Sequence, residues 1–262
     1  MSGEGECFES GTLASGFTLK RRHGLDCWGA SAEQATATRV SFAVHAVALG
    51  AGLLLILLAT LRDSGRRTWW GCHPMSRTDN LYELPKNLPV PLNDGACDHL
   101  AGLRLPSVEL LSTAGRKVDL STLSGKTVVY CYPRTGRPDQ EIPKGWNEIP
   151  GARGCTPQSC AFRDHYQQLQ ALGVRVFGLS TQETDYQREA AQRLQLPFEL
   201  LSDSEFAFTR ALALPTFQVA GMTLIKRLTL IIDGGQITKV FYPVFPPDKN
   251  AAEVIQRLSL AG

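Results

Sequence analysis

The chain has 262 residues, 43% hydrophobic and 20% charged, which excludes wholesale disorder and fibrous repeats and is long enough to bury a full core. Twenty-seven Lys and Arg against 25 Asp and Glu give a net charge of +2 without any run of five like charges, so no nucleic-acid partner is expected. Seven cysteines, an odd number spread over a long chain, argue against a secreted disulfide framework and leave at least one thiol free.

Residues 1–74 show no sustained helical or strand period, and Trp69, Trp70, Cys72 and His73 form no recognisable constellation. The stretch 41–61, SFAVHAVALGAGLLLILLATL, carries no charge between Arg39 and Arg62, and about 20 such residues suffice to span a bilayer. It is a candidate transmembrane helix. Its orientation stays open, because Lys20, Arg21, Arg22 and Arg39 precede it while Arg62, Arg66 and Arg67 follow. A cleaved signal peptide fits poorly, since about forty residues precede the apolar run. The extension is either a membrane anchor or a start assigned too far upstream, with Met75 opening the working chain.

Residues 75–106 hold Pro85, Pro89, Pro91 and Pro106 among Asn, Asp and Gly, which predicts an extended lead-in to a domain at 107–262. A short hairpin is expected at 107–111 and 117–120. Residues 127–132 (TVVYCY), β-branched, aromatic and apolar on both faces, suit a central strand. After a Pro-rich loop, a helical pattern covers 156–172, followed by a strand at 174–179, a helix at 184–194, a short strand at 198–201 and a helix at 204–212. Strands at 228–232 and 237–242 flank Asp233-Gly234-Gly235, a hairpin signal, and Asp248 is expected to cap a last helix ending near Leu258. Alternating strands and helices closed by a hairpin and a helix predict an α/β fold with a mixed central sheet flanked by helices.

The chemistry concentrates in 151–165, GARGCTPQSCAFRDH. A loop ends at Gly154, Cys155 follows, and Thr156-Pro157 opens a helix, where a proline lacking its N–H costs nothing. Cys155 thus meets unpaired N–H groups and the positive end of the helix dipole, which favour a thiolate over a thiol, and Arg153 adds positive charge nearby. A lone cysteine is more often a small buried hydrophobe, but this loop with Pro157 and Arg153 favours a reactive one. Cys160 lies five residues on. On an intact helix two such Cα atoms are roughly 8 to 9 Å apart and on different faces, beyond the about 7 Å that a disulfide allows. Joining them requires the first turn to unwind. The spacing suits neither a zinc site nor a Cys-x-x-Cys dithiol, and neither metal nor organic cofactor is expected. A two-step redox cycle fits better, in which an oxidant converts Cys155 to a sulfenic acid and local unfolding brings Cys160 to condense with it.

GCTPQSCAFRD at 154–164 resembles the peroxidatic segment of the peroxiredoxins, specifically the peroxiredoxin Q or bacterioferritin-comigratory type. TVVYCYP at 127–133 is similar to the family strand that ends in Tyr-Pro, and KRLTLIID at 226–233 to its Arg-x-Thr-x-x-Ile-Asp strand; the likeness runs from near Leu105 to near Leu258. The resemblance implies a thioredoxin-like fold, with Cys155 peroxidatic, Cys160 resolving and Arg227 facing the sulfur. It implies a thiol-dependent peroxidase that reduces hydrogen peroxide or an organic hydroperoxide and is recycled by thioredoxin or a glutaredoxin. A resting dithiol needs a reducing compartment, so a cytoplasmic domain is expected, membrane-anchored if 41–61 is a real span.

The chain also departs from the family, which places Pro-x-x-x-Thr-x-x-Cys in one unbroken loop. Here residues 134–154 intervene between Pro133 and Cys155, and Ala152 stands where the threonine is expected. Its role falls to Thr135, which follows the Tyr-Pro strand end as the family loop does, to Thr156 from the helix, or to backbone N–H groups with Arg227. Trp146 is either a wall of the site or an aromatic tucked onto the domain. Arg163 is expected to be structural, His165 a helix-surface histidine, Cys131 a core residue and Cys97 a plain loop thiol, with a second resolving or regulatory thiol as its alternative. Two rivals remain. One is a membrane-tethered thiol-disulfide exchange protein, which would lack its Cys-x-x-Cys; the other is a non-catalytic redoxin-fold binding module in which the missing threonine marks a lapsed site.

Overall fold

The computed structural model describes residues 79–260. The candidate span at 41–61 lies outside them, and no helix among the described residues is long and apolar enough to cross a membrane.

The chain lays down β1 (Glu109–Ser112), β2 (Lys117–Asp119) and β3 (Lys126–Cys131), then α1 (Cys155–Asp164), α2 (Tyr166–Ala171), β4 (Arg175–Ser180), α3 (Thr184–Arg193), β5 (Leu200–Ser202) and α4 (Ala207–Ala211). A hairpin of β6 (Thr216–Val219) and β7 (Met222–Ile225) follows, then β8 (Leu228–Asp233), β9 (Gln236–Phe241) and α5 (Asn250–Ser259). Among the described residues, seven strands form one mixed sheet in the order β2-β1-β5-β4-β3-β8-β9, and β6 and β7 form a separate two-stranded sheet. Strand β3 runs parallel to β4 and antiparallel to β8, which sets Tyr130 between Gly178 and Thr229. Glycine is required at 178: a Cβ there would sit 2.7 Å from the Tyr130 ring and 2.6 Å from Leu200.

Side chains of a strand alternate between faces, and β3 divides its residues accordingly. Val128 and Tyr130 pack with Phe162 of α1, Leu169 of α2 and Val254 of α5 on one face. Val129 and Cys131 pack with Leu179, Leu201 and Phe208 on the other. Burial of both faces explains why β3 reads as an unbroken apolar run. This is the thioredoxin-like architecture, a mixed sheet between helices.

Two local expectations need correction, and one element was not expected. The helical pattern at 156–172 is two helices, broken where the His165 ring N–H donates to the Ala161 carbonyl (2.9 Å), four residues back. Asp248 does not cap the last helix; it lies in a 3₁₀ turn, Pro247–Lys249, and α5 begins at the wholly buried Asn250. The β6–β7 hairpin gave no sequence signal, because its turn is Ala220-Gly221, both at positive φ (47° and 77°), in place of the usual Asn-Gly or Asp-Gly.

Candidate active site

Strand β3 and helix α1 deliver the cysteine between them. After β3 the chain runs out through Pro133 and returns at Gly154, the N-cap of α1, in a left-handed conformation (φ 103°) that favours glycine. Space makes the same demand, since a Cβ at 154 would collide with Pro247 and approach Leu84 to 2.7 Å. Cys155 is therefore the first residue of the helix, only 3% exposed, at the end where N–H groups lack intrahelical partners.

Two donors reach its sulfur. Arg227 Nη2 donates to Cys155 Sγ at 3.1 Å, and the backbone N–H of Arg134 donates at 3.4 Å. The thiol itself can donate to the Ala152 carbonyl at 3.6 Å. Arg227 lies one residue before β8 and is 3% exposed; its guanidinium is held from several sides. Nε donates to the Gly151 carbonyl (3.2 Å), Nη1 to Gln158 Oε1, and Nη2 also to the carbonyls of Ala152 and Arg153 (3.2 Å each). A buried cation so tied down places a fixed guanidinium against the sulfur, held in one orientation by its other bonds.

Sequence reasoning missed the residues behind this arginine. Gln158, one helical turn after Cys155 and wholly buried, accepts from Arg227 and donates through Nε2 to Asn250 Oδ1 at 3.0 Å. Thr229 Oγ1 donates to the same oxygen at 2.7 Å. A buried chain from Thr229 through Asn250 and Gln158 to Arg227 thus links β8, α5 and α1 to the sulfur. Gln158 had a legible signal, since the i+3 position shares a helix face with Cys155. Asn250 had none, being distant in sequence and next to a misplaced helix start.

The segment 134–154 closes on itself, because Arg134 touches the sulfur by its amide and Ala152 by its carbonyl. The Arg134 side chain donates to Met222 Sδ (2.9 Å), Gln140 Oε1 and the Tyr186 hydroxyl (3.2 Å each), and lies 4.9 Å above the Tyr186 ring. Trp146 is 5% exposed and packs with Ala152, Val219 and Leu224, so it is tucked onto the β6–β7 hairpin and also walls the site. Cys155, Thr135, Thr156, Leu81 and Trp146 are among the residues around a cavity of about 30 Å³, enough for about two water-sized molecules. Thr135 is wholly buried, and both its N–H and its hydroxyl donate to Gln182 Oε1 (2.9 and 3.1 Å). Arg153 turns away from the sulfur to pair with Asp79 and donate to the Asn80 carbonyl (3.1 Å).

Cys160 is half-buried on α1 and unpaired. Burial raises its thiol above the ordinary range, opposed by the nearby cations Arg163 and Arg193. Arg163 also anchors the helix, donating to the Leu194 carbonyl at 2.9 Å. Cys131 and Cys97 are buried within the apolar cluster that excludes Cys155; burial pushes the Cys97 thiol up to about 12 and that of Cys131 higher still.

Comparison with known proteins adds to this geometry. The sequence pattern of the family described as Redoxin matches residues 100–255. The chloroplastic peroxiredoxin Q of Sedum lineare is 33% identical over 155 residues, covering 58% of this chain and 74% of that protein. A Coxiella burnetii protein named putative peroxiredoxin bcp is 30% identical over 161 residues, covering 60% of this chain and 97% of its own length. Among solved structures, peroxidoxin BcpB from Mycobacterium tuberculosis shares the fold, with a TM-score of 0.51 at 23% identity over 62% of this chain and 97% of that one. The sulfur at a helix mouth, the arginine against it and these likenesses agree: the chain belongs to the redoxin family and, within it, to the peroxiredoxins of the Q or bacterioferritin-comigratory type, which are thiol-dependent peroxidases.

Proposed function

We propose that Cys155 is the peroxidatic residue of a two-cysteine cycle with Cys160 as its resolving partner. The supporting observation is Arg227 Nη2 at 3.1 Å from a sulfur that opens a helix, with a second thiol five residues along the same helix. The Cys155 thiolate attacks one oxygen of hydrogen peroxide or an organic hydroperoxide. A sulfur–oxygen bond forms as the O–O bond breaks, and the other oxygen leaves as hydroxide or alkoxide. Arg227 and the Arg134 amide both donate to the attacking sulfur, and on this reading the same fixed donors lie close enough to meet the charge as it passes to the departing oxygen. The Cys160 sulfur then attacks the sulfenic acid, an S–S bond replaces the S–O bond, and water departs. An external dithiol, thioredoxin or a glutaredoxin, exchanges with this disulfide and returns both thiols. The hydroxyl that the family pattern takes from a threonine falls to Thr135 or Thr156, both beside the cavity; Thr135 would exchange its bond to Gln182 for one to the peroxide.

Stopped-flow peroxide assays on the parent, Cys155→Ser and Cys160→Ser proteins test the scheme. Cys155→Ser should abolish turnover. Cys160→Ser should consume one equivalent and then stall or over-oxidise. Equal multiple turnover by all three would count against the assignment, and a parent that consumes no peroxide would favour a lapsed site.

A further inference from the structure

The lead-in before β1, expected only to be extended, lies across the start of α1. Asp79 pairs with Arg153, whose guanidinium is 7% exposed, and the Asn80 carbonyl accepts from the same group at 3.1 Å. Leu81 walls the Cys155 cavity. A Leu84 methyl packs onto Gly154, coming within 2.7 Å of where a Cβ would stand. Tyr82 lies within electrostatic reach of Arg163 and Arg193, the two arginines beside Cys160. Five of the six residues 79–84 thus reach the loop before Cys155, the cap of its helix or the surroundings of Cys160.

We propose that residues 79–84 form a strap that holds the first turn of α1 wound, and that its release sets how fast Cys155 and Cys160 join. The proposal rests on the two-cysteine cycle above and names what regulates it. The intact helix keeps the two Cα atoms roughly 8 to 9 Å apart, so every disulfide must wait for the turn to open. While it waits, the oxidised sulfur has a competing fate. Its sulfenate can attack a second peroxide, forming another S–O bond as the O–O bond breaks and water leaves after proton transfer, which gives a sulfinic acid that cannot form the disulfide. A tight strap favours that second oxidation, and a loose one favours the disulfide.

Asp79 and Leu84 are positioning residues on this account, acting through Arg153 and Gly154. The test uses the full-length chain with Asp79→Asn, Leu84→Ala and, as the conservative control, Asp79→Glu. In the reduced proteins, amide hydrogen exchange at 155–160 should quicken in the first two. After one equivalent of hydrogen peroxide, the disulfide should form about fivefold faster, the factor that corresponds to about 1 kcal/mol lost from a half-buried ion pair. At excess peroxide the sulfinic fraction, read by mass, should fall in proportion, while the first oxidation stays within about twofold of the parent. Asp79→Glu should stay close to the parent in all three. Unchanged exchange at 155–160 in both variants overturns the strap, as does faster exchange that leaves the disulfide rate and sulfinic fraction where they were. If the parent never reacts with peroxide, the two-cysteine cycle fails, and the exchange measurement still decides whether the strap holds the turn.

Discussion

All three nitrogens of the Arg227 guanidinium donate, and only one of the contacts is with the Cys155 sulfur. The remaining bonds, to Gly151, Gln158, Ala152 and Arg153, fix where that one points. This division explains why charge alone should not suffice. Arg227→Lys keeps the cation but offers a single flexible ammonium in place of a planar fork, so it cannot hold the loop carbonyls and the sulfur together. Arg227→Met removes the charge as well and leaves buried acceptors unpaired. We expect Arg227→Met to slow the first reaction with peroxide by about a hundredfold to a thousandfold, as loss of one preorganised oxyanion donor does, and Arg227→Lys to recover only part of that. Stopped-flow oxidation of the reduced protein measures both. Full recovery by lysine would show that position within the fork contributes nothing.

At the scale of elements, α1 is where local sequence and tertiary packing agree. Gly154-Cys155-Thr156-Pro157 is a start signal that needs no partner to be read, and the structure begins the helix at Cys155. Strand β8 was legible from its apolar run, and Arg227 just ahead of it from the family likeness. What was not legible came from contacts distant in sequence: the Arg134 amide returning to the sulfur, Asn250 reaching Gln158, and the lead-in crossing Gly154. Periodicity reports which face of an element is buried, not what it meets there, so the segment 134–154 read as an interruption when it is a closed excursion whose two ends touch one atom. Gly154 joins both kinds of information, since its φ of 103° is local and its contacts with Leu84 and Pro247 are not. Gly154→Ala should therefore cost about 2–4 kcal/mol, about 1–2 for the left-handed backbone and the rest for overpacking. Urea unfolding followed by far-UV circular dichroism would register it as a lower midpoint with an unchanged slope. A loss of only about 1–2 kcal/mol would mean that the lead-in and the 3₁₀ turn yield freely, and one below about 0.5 kcal/mol that the left-handed backbone carries no penalty either.

At the scale of the molecule, the sheet separates Cys155 from Cys97 and Cys131 among the described residues. Cys155 and Cys160 lie on one helix, with Cys155 in the cluster against one face of the sheet, whereas Cys97 and Cys131 fill the apolar cluster on the other face. Cys97 was harder to place from sequence, in a loop beside Asp98 and His99; the structure buries it to 3% exposure against Leu100 and Leu105, which favours packing over a second resolving role. That burial has a consequence for stability against pH. Desolvation, with smaller contributions from Asp94 and Asp98, lifts the Cys97 thiol from its ordinary 9.0 to about 12, and desolvation also raises Cys131, Tyr130 and Tyr132. These groups are acids whose native-state values lie above their unfolded ones. The unfolded chain therefore releases protons first, it binds fewer than the native chain, and stability falls as pH rises. For Cys97 the stabilisation is complete below about pH 9 and is lost progressively between 9.0 and about 12. Urea midpoints taken at pH 8 and pH 10.5 should drop for the parent, and Cys97→Val, which keeps an apolar side chain in the cluster but has nothing to ionise, should drop by less. The comparison cancels the contributions of lysines and tyrosines common to both proteins. An equal drop in the two would mean that the Cys97 thiol ionises in the native state as readily as in the unfolded one, and that the lead-in does not seal the cluster beneath it.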